Sequence, residues 1–296
     1  MNLFSKLSEK RNTSIKRKFI FFSVVLFATI VVLSSLAFVI SMRQIVYNTT
    51  GKDLSLILEI ERIKLESSVY GEIAIAMKMA GSPLIKRYLT NPNDQTILGT
   101  ALEEIASYRS AFAANTVFWV SDTDKRFHSD DGYVFTIDTS DPNNYWYLMT
   151  LNETEVYNFN INYNPDLNVT NLWINAPVFD NNRRPIGILG TGIDLTAFTD
   201  SIYKNYTGTA SLYFFNDAGE ITGARDPRLI ADKKIITDEL GPASMEVINN
   251  AKKLKAGETI FYDSQIGEIA IGTVPALDWY IIAVQPVGIR DALDTP

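Results

Sequence analysis

The 24 residues from Phe19 to Met42, FIFFSVVLFATIVVLSSLAFVISM, contain no charged side chain. A helix needs about 20 apolar residues to cross a bilayer core, so this run has the length and chemistry of a membrane span. A cleaved secretory signal has a shorter apolar region of about 7–15 residues and ends at a small-residue site, whereas SMRQIVY follows here. Lys6, Lys10, Arg11, Lys16, Arg17 and Lys18 precede the run against a single Glu9. That bias predicts a cytoplasmic segment over 1–18 and an uncleaved anchor over 19–42 in the inner membrane, with everything after Met42 periplasmic or extracellular.

The outer part is long enough, at 46% hydrophobic residues in a chain of 296, to bury substantial cores. A net charge of −7 argues against a nucleic-acid partner, which selects a basic face. Cys is absent and His128 is the single histidine. Thiolate chemistry, disulfides and multi-histidine metal sites are therefore excluded, and a Ser-His-Asp triad would have to be built on His128 alone. No catalytic residue, metal ligand or cofactor is expected, and an anchored hydrolase is the weakest reading.

Past the span, Leu56, Ile60, Ile63, Ser67, Tyr70, Ala74 and Met77 alternate by four and three. This is the period of a coiled-coil seam, and it fits equally a helix packed on its own domain and a seam between two copies. GSPLIKRYLTNPND then ends the helix, since Pro83 and Pro92 interrupt helical hydrogen bonding. A second helix is expected over about Thr96 to Ala113, completing a helical segment over 43–115. From Thr116 the period shortens to that of strands. TVFWVSDTDKRFHSDDG reads as a hairpin turning at DTDK. EVYNFNINYNPDLNVTNLWINAPVFDNNRRPIGILGTGIDL reads as three strands turning at NPDLN and DNNRRP, with the helix NNYWYLMTL ahead of them. After a linking helix from Leu195 to Tyr206, capped by Asp194, the order recurs: a hairpin turning at Asp217-Ala218-Gly219, a helix in GPASMEVINNAKKLK, and three closing strands. The expected fold class is α+β, with an N-terminal transmembrane helix, a long stalk helix and two tandem antiparallel-sheet modules.

The ordered set of DPNNYWY, PVFDNNRRPIGILGTGIDL and VPALDWYIIAVQPV, behind a span and a long helix, resembles the double Cache sensor domain of bacterial receptors. The resemblance runs from about Ile45 to Val287. It implies two stacked PAS-like modules, a membrane-distal one over 116–206 that holds a ligand and a membrane-proximal one over 207–287. It further implies the sensory region of a methyl-accepting chemotaxis protein acting in signal transduction, not an enzyme. The sensor of a histidine kinase or diguanylate cyclase is an alternative, and an anchored adhesion or partner-binding protein is an alternative of another class. Residues 288–296 are expected to lead into a second span, so the chain reads as a truncated receptor, and a homodimer is expected.

In the amino-acid-binding branch of that family an Arg two residues before the Trp-Tyr pair grips the ligand carboxylate, and an Asp after the glycine-rich run holds its ammonium. Here Trp146 and Tyr147 match the aromatic pair, the Arg position is Asn144 and the Asp position falls on Gly192. The family's aromatic near the following strand falls on Asn162 or Tyr163. A buried carboxylate without its guanidinium is costly. The expectation is therefore a neutral polar, heterocyclic or amine ligand ahead of an ordinary α-amino acid. Its wall is expected to comprise Asn144, Tyr145, Trp146, Tyr147, Tyr163, Trp173, Asn175 and Gly192, with Phe118 from the first hairpin. Arg126, His128, Tyr133, Asp138, Tyr157 and Asp194 are weaker candidates. The plain alternative is that Trp146 and Trp173 are packed core.

Overall fold

The structure is a computed structural model and describes residues 3–130, 132–164, 169–205, 209–241 and 244–286. Two compact units, Met1–Asp53 and Leu54–Pro296, divide the chain. Helix α1 runs from Leu3 to Ala80. In the first unit its Phe19–Met42 stretch exposes large apolar side chains, Phe19, Phe21, Phe27 and Phe38 among them, and it is long and apolar enough to cross a membrane.

In the second unit α1 presents two different faces. Leu54, Leu58, Leu65, Val69, Ile73, Ala76 and Met79 are buried, and so are Glu61 and Glu72. The four-three seam lies on the other side: Leu56 is 55%, Ile60 41%, Ile63 51% and Tyr70 52% exposed. The helix does pack on its own domain, through a neighbouring stripe at the same period, and of the seam itself Met77 packs against that core while Leu56, Ile60, Ile63 and Tyr70 stay exposed.

GSPLIKRYLTNPND ends α1 but is not merely a break. Pro83 stands at the start of α2 (Pro83–Thr90), where its missing N–H costs no helical bond, and Ser82 caps it by accepting from Ile85 N. Helix α3 spans Gln95–Ala111 and is capped by Asp94, which accepts from Thr96 N at 2.9 Å. Its end is tied back to α1, where Ala113 N donates to Glu72 Oε1 at 2.8 Å. Burial raises the Glu72 carboxyl above its ordinary range, and this hydrogen bond opposes the shift.

Strands β1 (Phe118–Ser121), β2 (Arg126–Ser129), β3 (Gly132–Thr136), β4 (Asn158–Asn164), β5 (Val169–Phe179) and β6 (Pro185–Asp194) form one antiparallel sheet in the order β3-β2-β1-β6-β5-β4. Helix α4 (Tyr145–Glu153) falls between β3 and β4 in sequence. The edge strand β3 was not anticipated, because GYVFT follows the acidic turn with no alternation of polar and apolar residues. Helix α5 (Leu195–Asn205) leads to the second sheet of β7 (Ser211–Asn216), β8 (Ile221–Ala224), β9 (Thr259–Ser264), β10 (Gly267–Val274) and β11 (Trp279–Pro286), in the order β8-β7-β11-β10-β9. Setting β3 aside, the two orders are the same: a hairpin whose first strand pairs with the last strand of its module. Short helices α6 (Arg228–Ala231) and α7 (Ile236–Leu240), also unanticipated, precede α8 (Ser244–Ala251). The lead-in expected over 288–296 lies outside the described residues.

One core cluster joins the buried face of α1 to both sheets. From the first come Val117, Trp119, Leu172, Ile174, Ala176 and Leu189, and from the second Leu212, Phe214, Ala270, Ile281 and Ala283. The reverse face of the second sheet packs Phe215, Ile269, Ile271 and Ile282 against Leu240 of α7 and Val247 and Ala251 of α8. The reverse face of the first sheet is closed only in part, by α4.

Asp194 caps α5 as expected, accepting from Ala197 N at 2.7 Å. Tyr203 of α5 then clasps the second sheet: its hydroxyl accepts from Leu212 N at 2.9 Å and donates to Leu212 O at 2.8 Å. Removing the hydroxyl leaves both backbone groups of a buried residue short of a partner. Tyr203→Phe is therefore expected to lower stability by about 1–3 kcal/mol in chemical denaturation.

Candidate ligand-binding site

Side chains alternate across a strand, so residues facing away from α1 share one surface of the first sheet. The pairings Phe118 with Gly190, Gly190 with Asn175, and Asn175 with Asn158 make one row across it. Gly192, Trp173 and Asn160 make the next, and Asp194, Asn171 and Asn162 the one beyond. A cavity of about 1010 Å³ opens over this surface.

Its aromatic wall is assembled across four strands and a helix. Phe118, Phe127 and Phe135 stack in series, with centroids 5.5 and 4.9 Å apart and nearly parallel rings. Trp146 meets Phe118 and Phe127 edge-on at 6.1 and 6.2 Å, and Trp173 meets Phe118 edge-on at 5.6 Å. These are the offset and T-shaped arrangements that ring quadrupoles favour. Two glycines make room for them. A Cβ on Gly192 would stand 3.0 Å from the Trp173 indole; one on Gly190 would overlap the Ile174 carbonyl oxygen and reach within 2.8 Å of the Phe118 ring.

The polar wall is a chain of amides. Asn158 Nδ2 donates to Thr150 Oγ1 and Thr154 Oγ1 of the α4 region at 2.9 and 2.7 Å. Asn175, fully buried, donates to Asn158 Oδ1 at 2.8 Å and Asn160 Oδ1 at 2.7 Å. Among the described residues none accepts from the amide groups of Asn160 or Asn162, and both line the cavity. The charged residues lining it, Glu220 and Lys233, come from the second module.

Of the residues expected at a site, Phe118, Tyr145, Trp146, Tyr163, Trp173 and Asn175 line this cavity. Three do not. Tyr147 is fully buried beneath α4, about a quarter-turn from Trp146 and edge-on to its ring at 6.0 Å, and its hydroxyl donates to Asp122 Oδ1 at 2.6 Å. Burial and the Asp122 and Asp124 carboxylates push its phenol far up, so it is a neutral anchor of α4. Asn144 braces the preceding turn, donating from Nδ2 to Asp138 O at 2.9 Å. Gly192 acts by the space it leaves under Trp173. Among the weaker candidates, Asp138 accepts from Ser140 N and Oγ in the same turn, and Arg126 and His128 both lie against the Tyr133 ring rather than beside Phe127. Phe127, Phe135, Phe159 and Asn160 were not anticipated at the site. The period-two alternation of Asn158, Asn160 and Asn162 was the available signal for the amides.

No family model and no curated protein matches the sequence. Solved structures do. The periplasmic sensory domain of the Campylobacter jejuni chemoreceptor Tlp1 superposes with a TM-score of 0.63 at 11% identity, over 84% of this chain and 98% of that one. The isoleucine-bound sensory domain of Campylobacter jejuni Tlp3 gives 0.54 at 16% identity, over 83% and 96%. The ligand-binding domain of the Pseudomonas aeruginosa amino acid chemoreceptor PctC, in complex with GABA, gives 0.54 at 15%, over 80% and 100%. The fold is that of a chemoreceptor sensory domain.

The sensory fold overturns one expectation. Ordinary α-amino acids were ranked below neutral or heterocyclic solutes because positions 144 and 192 lack charge, yet domains of this fold hold isoleucine and GABA. Positions 144 and 192 are not the whole polar supply of the cavity. The cavity also has amide donors on β4 and a lysine and a glutamate from the second module.

The ring packing over Gly190 supplies a direct check on the site's construction. Gly190→Ala is expected to destabilise the protein by about 3 kcal/mol, with a red-shifted indole emission as Phe118 and Trp173 are displaced, both followed in one denaturation series.

Proposed function

We propose that this chain is the extracytoplasmic sensory region of a membrane-anchored chemoreceptor that binds a small amino-acid-type solute in the cavity of the first module. The observation that carries the reading is the pairing of an aromatic wall with unengaged amide donors across one sheet face. An ammonium group lies favourably over the faces of Trp146, Trp173 and Phe118. A carboxylate accepts from the Asn160 and Asn162 amides. The cavity is of the size of small-molecule sites, with polar groups set beside an aromatic wall. Binding shifts the balance between two arrangements of the sheet and α1, with no catalytic step, and the first module stands distal to the membrane. The isoleucine and GABA complexes of the same fold support this class of solute.

The test is a thermal-shift and calorimetry series on the whole chain in lipid nanodiscs, with isoleucine, serine and GABA as probes. A ligand at about 100 times its Kd raises stability by about 2.7 kcal/mol, which is readily seen as a higher Tm. Trp146→Ala is expected to weaken the binding of the best probe about tenfold or more. Failure of every probe to shift the Tm, or undiminished binding by Trp146→Ala, rules the reading out.

A homodimer is part of the same proposal, and its support is the exposed stripe of Leu56, Ile60, Ile63 and Tyr70 at coiled-coil spacing. Ile60→Asp is expected to shift the receptor to monomer in sedimentation equilibrium while leaving probe binding in place. A wild-type chain that sediments as a monomer refutes the dimer.

A further inference from the structure

A second cavity, of about 340 Å³, lies on the helical side of the first sheet, between α2, α3, β1 and β2. Trp119 and Val117 line it and have the opposite parity to Phe118, so it is separated from the aromatic cavity by the sheet itself. One wall is flat: the Trp119 indole and the His128 imidazole stack at 5.2 Å with 5° between their planes. The indole N–H is already used, donating to Tyr88 Oη at 3.3 Å. Facing it are Leu98, Leu102 and Ile105 of α3. The slot is therefore apolar on both sides and suits a thin, compact body.

Its end is polar and asymmetric. Asp130 accepts from Val117 N at 2.7 Å and from Thr116 Oγ1 at 2.8 Å. Arg109 lies 3.4 Å from Asp130 and donates from Nε to Asn115 O at 2.9 Å. Both groups are thus held in place, and the Asp130 charge is shared among three donors. The terminal amino groups of Arg109 have no partner among the described residues. Planar guanidinium donors fixed at the mouth of an apolar slot match a carboxylate on a flat or branched apolar group. Burial lowers the His128 pKa, so the stacked ring is neutral and adds no second cation.

We propose that this cavity is a second binding site, for a small monocarboxylate with a compact aromatic or branched apolar body, held by Arg109 against the Trp119–His128 stack. The volume suits a body of that size.

Benzoate is the probe and benzamide its neutral control, titrated by calorimetry and indole fluorescence into the whole chain in nanodiscs. Saturable benzoate binding is expected, with benzamide about tenfold or more weaker because the charge-assisted hydrogen bonds are lost. Arg109→Gln should bring benzoate down to the benzamide level. Leu102→Trp, which enlarges a partly exposed side chain at the cavity, should block benzoate without disturbing the core. Trp146→Ala, in the other cavity, should leave benzoate binding unchanged. No saturable signal below about 10 mM, equal binding of benzamide, or loss in Trp146→Ala with retention in Leu102→Trp overturns the proposal. None of these outcomes depends on whether an amino acid binds the first cavity.

Discussion

A single helical face holds this protein together. Leu54, Leu58, Leu65, Val69, Ile73, Ala76 and Met79 of α1 enter one apolar cluster with residues of α2, α3 and both sheets, so a face of each sheet shares a core with the same rod. At about 25 cal/mol per Å² of apolar surface, such continuous burial outweighs any single polar contact in the chain. The carboxylates on that face make specific ties. Glu72 receives the backbone of Ala113 after α3, and Glu66 receives Ala276 N before β11 at 3.1 Å. Arg62 in turn reaches Glu66 at 3.4 Å. One tie holds the chain just before the first sheet and the other holds it just before β11.

Residues of α1, together with Ile85 and Leu89 of α2 and Ile105 of α3, share one core with a face of each sheet, and the two modules differ in how they close the other face. The second module packs its reverse face on α7 and α8 with Ile269, Ile271, Phe215 and Val247. In the first module α4 reaches only part of the sheet, through Tyr147, Thr150 and Leu151. The uncovered remainder is where β4, β5 and β6 present amides and glycines. Large rings beside small residues leave a hollow that the neighbouring side chains cannot fill, and the amide chain from Thr150 to Asn160 keeps its polar rim ordered.

The likeness to Tlp1, Tlp3 and PctC at 11–16% identity is a likeness of architecture. A sheet order and a buried face can be met by many apolar residues of suitable size, whereas a binding site depends on particular groups. Asn144 and Gly192 illustrate this. Both keep structural duties at those places in the fold, bracing a turn and seating an indole, without carrying charge.

Local patterns in the sequence determined the apolar span, the long helix, the hairpin turns and the repeated order of elements, because these depend on hydrophobic period and turn chemistry within a few residues. Trp173 and Asn175 were legible as wall residues through strand parity, and Trp146 through the resemblance of its Trp-Tyr pair to the sensor family. Tertiary structure alone decided which stripe of α1 is buried, since two apolar stripes of similar period compete and only packing selects between them. It also decided that Tyr147 turns inward, that Phe135 joins the wall from an edge strand with no alternating pattern, and that Lys233 and Glu220 reach the cavity from another module. Those facts arise from contacts between residues far apart in the chain, and no local rule of spacing contains them.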